Sequence, residues 1–509
     1  MSHWFTQDRQ TALYQAASVR RLDQQAIQAA GIPGLELMRR AGACAWQLLR
    51  RRWPDARRLA VLCGPGNNGG DGLVLARLAA NGGVAVHTCL LGDPANLKGD
   101  AASSYQDFRA AGLNLSPCSE EMLLASDGIV DALYGTGLAR PVTGRGASLI
   151  EAVNRHPGFR LSLDIPSGLH ADSGRIQGCA IHADATVTFI GVKQGLCTGQ
   201  GREQCGELVF EDLGVPEPVY RQVDADAWRI NLTGLKGLLG PRERDAHKGR
   251  YGHVLVIGGD HGYAGATALC AQAALKTGAG LLTVASRPQH LAVVNGACRE
   301  LMFRGITAGG DLVPLLSRAT VIAIGPGLGR GEWSRELLAT VLAADGQQGL
   351  VVDADALNLL AEHPPLLEAL QARAGAAVCT PHPGEAARLL AADSQILEAD
   401  RFAASARLAR RLGTVVVLKG AGTLIQALDQ PPLVCAGGNP GMASGGMGDV
   451  LTGVIAALLA QGLGPEQAAA AGCVLHAAAG DEAALAGGGE RGLLASDLMA
   501  PLRRLVNRL

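Results

Sequence analysis

Short apolar runs that end in a glycine cluster and lead into a helical pattern recur along this chain, and that alternation leaves few folds open. Arg58 to Cys63 reads as a buried strand, followed by Gly64-Pro65-Gly66-Asn67-Asn68-Gly69-Gly70-Asp71-Gly72 as a loop and a helix from Leu73 to Asn81. Further strands are expected over Val84 to Leu91, Asp127 to Leu133 and Phe159 to Leu163, with helices near Gly99 to Ala111 and Ala147 to Arg155. The style resumes with His253 to Ile257, Leu281 to Ala285, Thr320 to Ile324, Leu350 to Val352, Ala376 to Cys379 and Thr414 to Lys419. Such alternation predicts α/β architecture with parallel sheets, and ligands at the carboxyl ends of the strands.

Between Leu213 and Gly252 the regularity lapses into prolines and the polar run Arg242 to Arg250. With 509 residues, more than one core is expected, and the boundary is placed near Asp224, dividing the chain into 1–223 and 224–509. The motifs of the halves differ in type and order, which argues for two different domains rather than a duplication.

Composition removes several function classes. Lys and Arg number 45 against 46 Asp and Glu, so no basic footprint for nucleic acid is present. No apolar run reaches the roughly 18 to 20 residues of a membrane span, and the start, Met1 to Arg9, lacks a signal-peptide core, so a cytoplasmic protein is expected. Twelve cysteines, none in a Cys-X-X-Cys pair, read as reduced small hydrophobes rather than as disulfides or zinc ligands.

The segment Asn439 to Gly453 places glycines at 441, 445, 446, 448 and 453, just where an apolar helix begins. Val450, Leu451, Val454, Ile455 and Leu458 recur at helical spacing, and Gly462 follows the last turn. The free N–H groups of a first helical turn favour an anion such as phosphate. Asp449 either caps the helix or, among donors meant for phosphate, takes a proton from a reacting group. In the first half, three successive strand ends are rich in oxygen or glycine: Asn67 to Asp71, Asp131 to Pro141, and Asp164 to Gly168. They are expected to converge on one crevice. An oxygen-rich set without a His or Cys cluster suits a hard cation.

The segments Asn67-Asn68-Gly69-Gly70-Asp71-Gly72, Asp131-Ala132-Leu133-Tyr134-Gly135-Thr136-Gly137 and Leu163-Asp164-Ile165-Pro166-Ser167-Gly168 resemble the NAD(P)H-hydrate epimerase family, over roughly residues 10 to 222. The resemblance implies a Rossmann-like three-layer domain. It also implies a hydrate site lined by Asn67, Asn68, Gly69, Gly70, Asp71, Gly135, Thr136, Gly137, Leu138, Ala139, Arg140, Pro141 and Asp164. Asn68, Asp131 and Ser167 would hold a potassium ion, and Asp164 is the candidate acid/base.

The second half is similar to the ADP-dependent NAD(P)H-hydrate dehydratases, which have a ribokinase-like fold. The matching segments are His247-Lys248-Gly249, Gly325 to Gly329, Asp353-Ala354-Asp355-Ala356-Leu357, Thr380 to Glu385, Leu418 to Thr423 and Gly445 to Asp449. By this resemblance Ala266, Gly327, His382 and Asp449 contact the hydrate, and Lys419, Gly420, Ala421, Gly422, Thr423 and Gly448 hold the adenine nucleotide. Asp449 would remove the proton of the C6 hydroxyl, ADP would serve as co-substrate and Mg2+ would bridge its phosphates. Met447 stands where a Thr is common in the family, which removes a hydroxyl but leaves the backbone donors. Read without the resemblance, His247-Lys248 is an exposed loop, His382 is open to a plain turn role, and Lys419 could equally cap a sheet edge.

The expected activity is therefore bifunctional repair of hydrated NADH and NADPH, in a homo-oligomer taken to be a tetramer, with neither nucleic acid nor membrane as partner. Two other readings stay open on the residues: a ribokinase-type small-molecule kinase, since Gly-X-Gly-Asp is also a kinase signature, and a ligand-sensing scaffold without turnover.

Overall fold

The computed structural model describes residues 4–344, 346–373 and 375–509; the first three residues of the N-terminal stretch read above lie outside the described residues. The chain divides into two compact units, Asp8–Trp228 and Arg229–Leu509, the second also taking in the residues up to Gln7.

In the first unit, six parallel strands lie in the order Ala85–Leu90, Arg58–Cys63, Gly128–Ala132, Phe159–Leu163, Ala185–Phe189, Glu207–Glu211. Apolar residues of both pleat faces are buried, Val61 and Cys63 against the helices Gly34–Arg52 and Asn67–Asn81, and Ala60 and Leu62 against Gly144–Arg155. That explains why the strands read as continuous apolar runs. A small ribbon adds Ala12–Tyr14, parallel to Val192–Lys193 and antiparallel to Ala227–Trp228.

One expectation changes. The glycine segment after Arg58–Cys63 is not loop as far as Gly72; the helix already begins at Asn67. Its glycines serve close packing instead. A Cβ at Gly69 would stand 1.9 Å from the Gly64 carbonyl oxygen, and one at Gly72 2.7 Å from the Ala132 methyl. The reduced-cysteine reading also needs correction: a parallel bridge between Thr88 and Leu115 brings Cys89 and Cys118 together as a disulfide, Cα to Cα 5.2 Å. Ten other cysteines are free.

The second unit carries nine strands in the order Met302–Gly305, Leu281–Ser286, His253–Ile257, Val321–Ile324, Gly349–Val352, Ala377–Cys379, Val415–Leu418, Thr423–Gln426, Leu433–Cys435. The first seven are parallel and the last two turn back antiparallel. Helices Ala264–Thr277 and Met447–Ala460 pack so closely that a Cβ on Gly453 would meet the Cys270 carbonyl oxygen at 2.0 Å. Among the described residues no helix is long and apolar enough to cross a membrane.

Candidate active sites

In the first unit the three strand ends meet. Asp131, at the end of Gly128–Ala132, is fully buried and accepts from the Ser162 hydroxyl (2.8 Å), the Ser167 N–H (2.8 Å) and hydroxyl (2.5 Å), and the Leu133 N–H (3.2 Å). Burial still lifts its carboxyl above the ordinary range, against the pull of the Ser167 and Ser162 donors. Asn68, in the first turn of Asn67–Asn81, is buried with both side-chain polar atoms unpartnered among the described residues. An amide left so is costly unless something fills the space beside it. Gly135 abuts Asn68 and Asp164: a Cβ there would lie 3.3 Å from Asn68 Cβ and 3.6 Å from Asp164 Oδ2. From Gly135 the segment through Pro141 runs as a partly exposed loop, with Leu138 N–H on the Gly135 carbonyl at 3.3 Å.

Asp164 leaves its strand with φ of +67°, an unusual backbone for a residue bearing a Cβ, and its carboxylate is ion-paired to Lys193. The Lys193 ammonium, 1% exposed, also donates to Thr188 Oγ1 (3.1 Å) and the Phe189 carbonyl (3.0 Å). Around this one cation stand three acids. Burial pushes Asp23 up to about 6, eased by Lys193 and worsened by Asp164. Burial, then Asp164, then Asp23 push Asp71 well above the carboxylate range. Sequence reasoning missed Lys193 and Asp23. Lys193 lies in a two-residue strand beyond the quoted motifs, and Asp23 occupies an otherwise ordinary helix; only the fold brings them to Asp164.

In the second unit the helix Met447–Ala460 starts on Gly446, whose φ of +90° only glycine adopts cheaply, and no side chain caps it. Its first N–H groups are thus left for a ligand or water. Asp449 stands in that first turn rather than at the cap. Burial, Asp353 and Asp355 together push its carboxyl up to about 7, with Lys419 pulling the other way. A Cβ on Gly448 would lie 3.4 Å from Lys419 Nζ, so the ammonium sits beside the glycine turn. Lys419 pairs with Asp353 Oδ1 at 2.7 Å, and Glu385 Oε2 lies 3.9 Å away. Burial opposes its charge, but Asp353 and Glu385 outweigh that and hold its pKa above the ordinary value. Burial takes Glu385 up to about 7, with Lys419 opposing.

His382 opens the helix Pro383–Leu390 with a capping box: its Nδ1 accepts from Gly384 N–H at 2.9 Å, and the His382 backbone N–H donates to Glu385 Oε2 at 2.8 Å. Burial and then Lys419 keep the imidazole pKa low. Gly327 abuts Tyr263 and Ala266, and Gly325 abuts the Asp353 main chain, which joins these strand-end loops. Lys419 to Thr423 turn from Val415–Leu418 into Thr423–Gln426, with Gly420 and Ala421 exposed. Beneath that turn lies Arg401, 1% exposed, donating to the carbonyls of Leu418 (3.2 Å) and Lys419 (3.1 Å) and to Glu398 (2.8 Å). It too was absent from the sequence reading, since an arginine in a basic helix gives no sign that it is buried. His247 and Lys248 are exposed beside Gly280, before the amino end of Leu281–Ser286 and away from these strand ends.

Comparison with known proteins places these sites in context. The profile of NAD(P)H-hydrate dehydratases matches residues 254–503, and that of the YjeF-related protein N-terminus matches 34–195. A bifunctional NAD(P)H-hydrate repair enzyme Nnr of Coxiella burnetii is 48% identical, covering 98% of this chain and 100% of that protein. The enzyme of the same description from Escherichia coli K12 is 43% identical over 97% of this chain and 94% of its own length. Among solved structures, an ADP/ATP-dependent NAD(P)H-hydrate dehydratase from Bacillus subtilis, co-crystallized with ATP/Mg2+, has 29% identity and a TM-score of 0.46, covering 53% of this chain and 94% of that one.

Proposed function

The chain belongs to the bifunctional NAD(P)H-hydrate repair enzymes, and from that premise we propose how its two units share one repair. The first interconverts the R and S epimers at C6 of the hydrated nicotinamide; the second returns the S epimer to NADH or NADPH at the expense of ADP, releasing AMP and phosphate.

Hydroxide leaves a ring carbon poorly, whereas a phosphate ester leaves well. Asp449 takes the C6 hydroxyl proton as the oxygen attacks the β-phosphoryl of ADP and AMP departs. The ring-nitrogen lone pair then expels phosphate from C6, and loss of a proton from C5 restores the double bond. The observation carrying this is the Asp449 carboxyl, raised to about 7 at the lip of an uncapped helix start beside Lys419. A base works best with its pKa near the working pH. The helix N–H groups and Lys419 favour the transferring phosphoryl, and Lys419 to Thr423 with Gly448 hold the nucleotide. Ala266, Gly327 and His382 border the hydrate.

Mg2+ suits this site as an ion carried on nucleotide phosphates. Among the described residues no three His, Cys, Asp or Glu side chains form a cage, and magnesium usually needs only one or two carboxylates besides phosphate and water. Asp353 and Glu385, flanking Lys419, would supply them.

In the first unit the hydrate lies on Asn67 to Asp71, Gly135 to Pro141 and Asp164. Asp164 moves the proton, with the Lys193 ammonium paired to its carboxylate and holding it in place. The residues fit a potassium ion: the Asn68 amide is buried without a partner among the described residues, and Asp131 is disfavoured as a carboxylate by burial despite its donors, so a monovalent cation shared with Ser167 would relieve both. The reading carries with it a cytoplasmic homotetramer that takes neither nucleic acid nor membrane as partner. Light scattering of the purified protein tests the assembly.

The deciding experiment supplies purified R and S hydrates with and without ADP and follows the reduced nicotinamide band. Without ADP the epimers should equilibrate but no reduced cofactor should appear; with ADP both should be consumed, one AMP per reduced cofactor. A stable phosphorylated product would identify a kinase instead, and reduced cofactor formed without nucleotide consumption would sink the reading.

A further inference from the structure

The second unit also holds a cleft of about 1950 Å3 that none of the reacting residues lines. It lies where Tyr251 and Gly278 precede the strands His253–Ile257 and Leu281–Ser286, at the amino ends of the sheet, whereas Asp449, Lys419 and Asp353 gather at the carboxyl ends. Its wall carries seven Lys and Arg against two Glu, in a chain whose net charge is -1. Of the acids, Glu243 is taken by Arg250 at 2.7 Å, while Glu300 accepts from the Cys298 thiol at 3.0 Å and also feels the charges of Lys276 and Arg299. Lys236, Lys276, Arg299 and Arg503 have no ion-pair partner among the described residues. Lys276 and Arg503 stand in the last turns of their helices, where a cation meets the helix dipole, and Arg299 faces Glu300, but Lys236 has no such reason to be there.

One further observation points to a ligand. The Arg242 guanidinium sits over the Tyr251 ring at 3.8 Å and is anchored on the Gly278 carbonyl at 2.6 Å, and a guanidinium held in this way offers a planar surface on which a nucleobase stacks. The cleft is larger than the 300 to 1,000 Å3 or so usual for one drug-sized molecule, so a lone phosphate would leave most of it empty.

We propose that this cleft is a second, non-catalytic binding site for a nucleoside polyphosphate, with Lys236, Lys276, Arg299 and Arg503 facing the phosphates and Arg242 on Tyr251 carrying the base. The charge concentrated there raises local anion concentration and makes binding sensitive to salt. This goes beyond the reaction assigned to the carboxyl ends and does not depend on it.

The test is calorimetric titration of the full chain with two probes, ADP and inorganic tripolyphosphate, at low and at 0.3 M salt. Wild type should show two classes of ADP site. Lys276→Glu with Arg299→Glu should weaken one class tenfold or more and leave the rate of hydrate turnover unchanged; Lys419→Ala should weaken only the other. Tyr251→Leu should weaken ADP in the cleft but not tripolyphosphate. Circular dichroism of each variant checks the fold. The proposal is overturned by a single ADP class that Lys419→Ala abolishes, by tripolyphosphate binding in the cleft without ADP, or by titrations of the double charge reversal indistinguishable from wild type.

Discussion

Lys419 Nζ lies 2.7 Å from Asp353 Oδ1, while the other oxygen of that carboxylate accepts the Thr452 hydroxyl at 2.8 Å. Asp353 is thereby pinned from the helix Met447–Ala460, and through it the ammonium is aimed at the glycine turn that opens the same helix. A hydrogen bond to a charged group contributes about 1.5 to 3 kcal/mol. Thr452→Val should cost about that much in urea unfolding and raise KM for ADP, with epimerisation untouched.

Asp449→Asn should lower ADP-dependent dehydration by about 10²- to 10⁴-fold and leave epimerisation intact. In wild type the base is active only when ionised, so the dehydration rate should rise as pH increases through about 7. Stability runs the other way. Folding lifts this carboxyl from 3.8 to about 7, so between those values the folded chain keeps a proton that the unfolded chain has lost. Its contribution to stability is lost as pH rises through that window and stays level above. The Asn variant lacks this loss, and its Tm should exceed that of wild type at pH 8, the gap closing toward pH 4.

Lys193→Met removes the cation that faces Asp23, Asp71 and Asp164, the one such cation among the described residues. Breaking a buried pair typically costs about 3 to 5 kcal/mol, because the remaining charge is uncompensated. The variant should lose epimerase activity and melt earlier, and part of the lost Tm should return near pH 5, where Asp23, raised by burial to about 6, takes up its proton. Equal destabilisation at pH 5 and pH 8 would refute this electrostatic account.

Arg401→Met leaves the carbonyls of Leu418 and Lys419 without their buried donor. The turn into Thr423–Gln426 should loosen and the KM for ADP should rise tenfold or more, while the hydrate KM moves far less. Arg401→Lys should recover only part, since one ammonium cannot reproduce the planar fork.

Gly446→Ala places a Cβ on a left-handed backbone, 2.6 Å from Leu269. Strain of about 1 to 3 kcal/mol is expected, read as a lower Tm together with weaker nucleotide binding.

Much of this architecture was legible beforehand because buried parallel strands announce themselves as apolar runs. Arg58–Cys63, Phe159–Leu163 and His253–Ile257 have the bounds that their runs of apolar residues indicate. The two antiparallel strands Thr423–Gln426 and Leu433–Cys435 are short and lack a helix between them, so the alternation rule passed over them. The start of the helix at Asn67 was misplaced because glycine was read as a loop former, whereas here it allows elements to approach closely. Among the candidate site residues, Asp131 and Asp164 stood out as carboxylates at the ends of apolar strands, and Asp449 as one inside a glycine turn. Lys193, Asp23 and Arg401 could not, for a lone charged residue in a helix or strand looks solvated until tertiary packing encloses it.

The helix start at Gly446 has no side-chain cap among the described residues, so before the proposed nucleotide binds, its first amide hydrogens are left to solvent. Arrival of a phosphate would displace that water and finish the first turn. Substrate and local rigidity would thus be acquired in one event, and deuterium uptake at residues 447 to 449 becomes a direct report of occupancy.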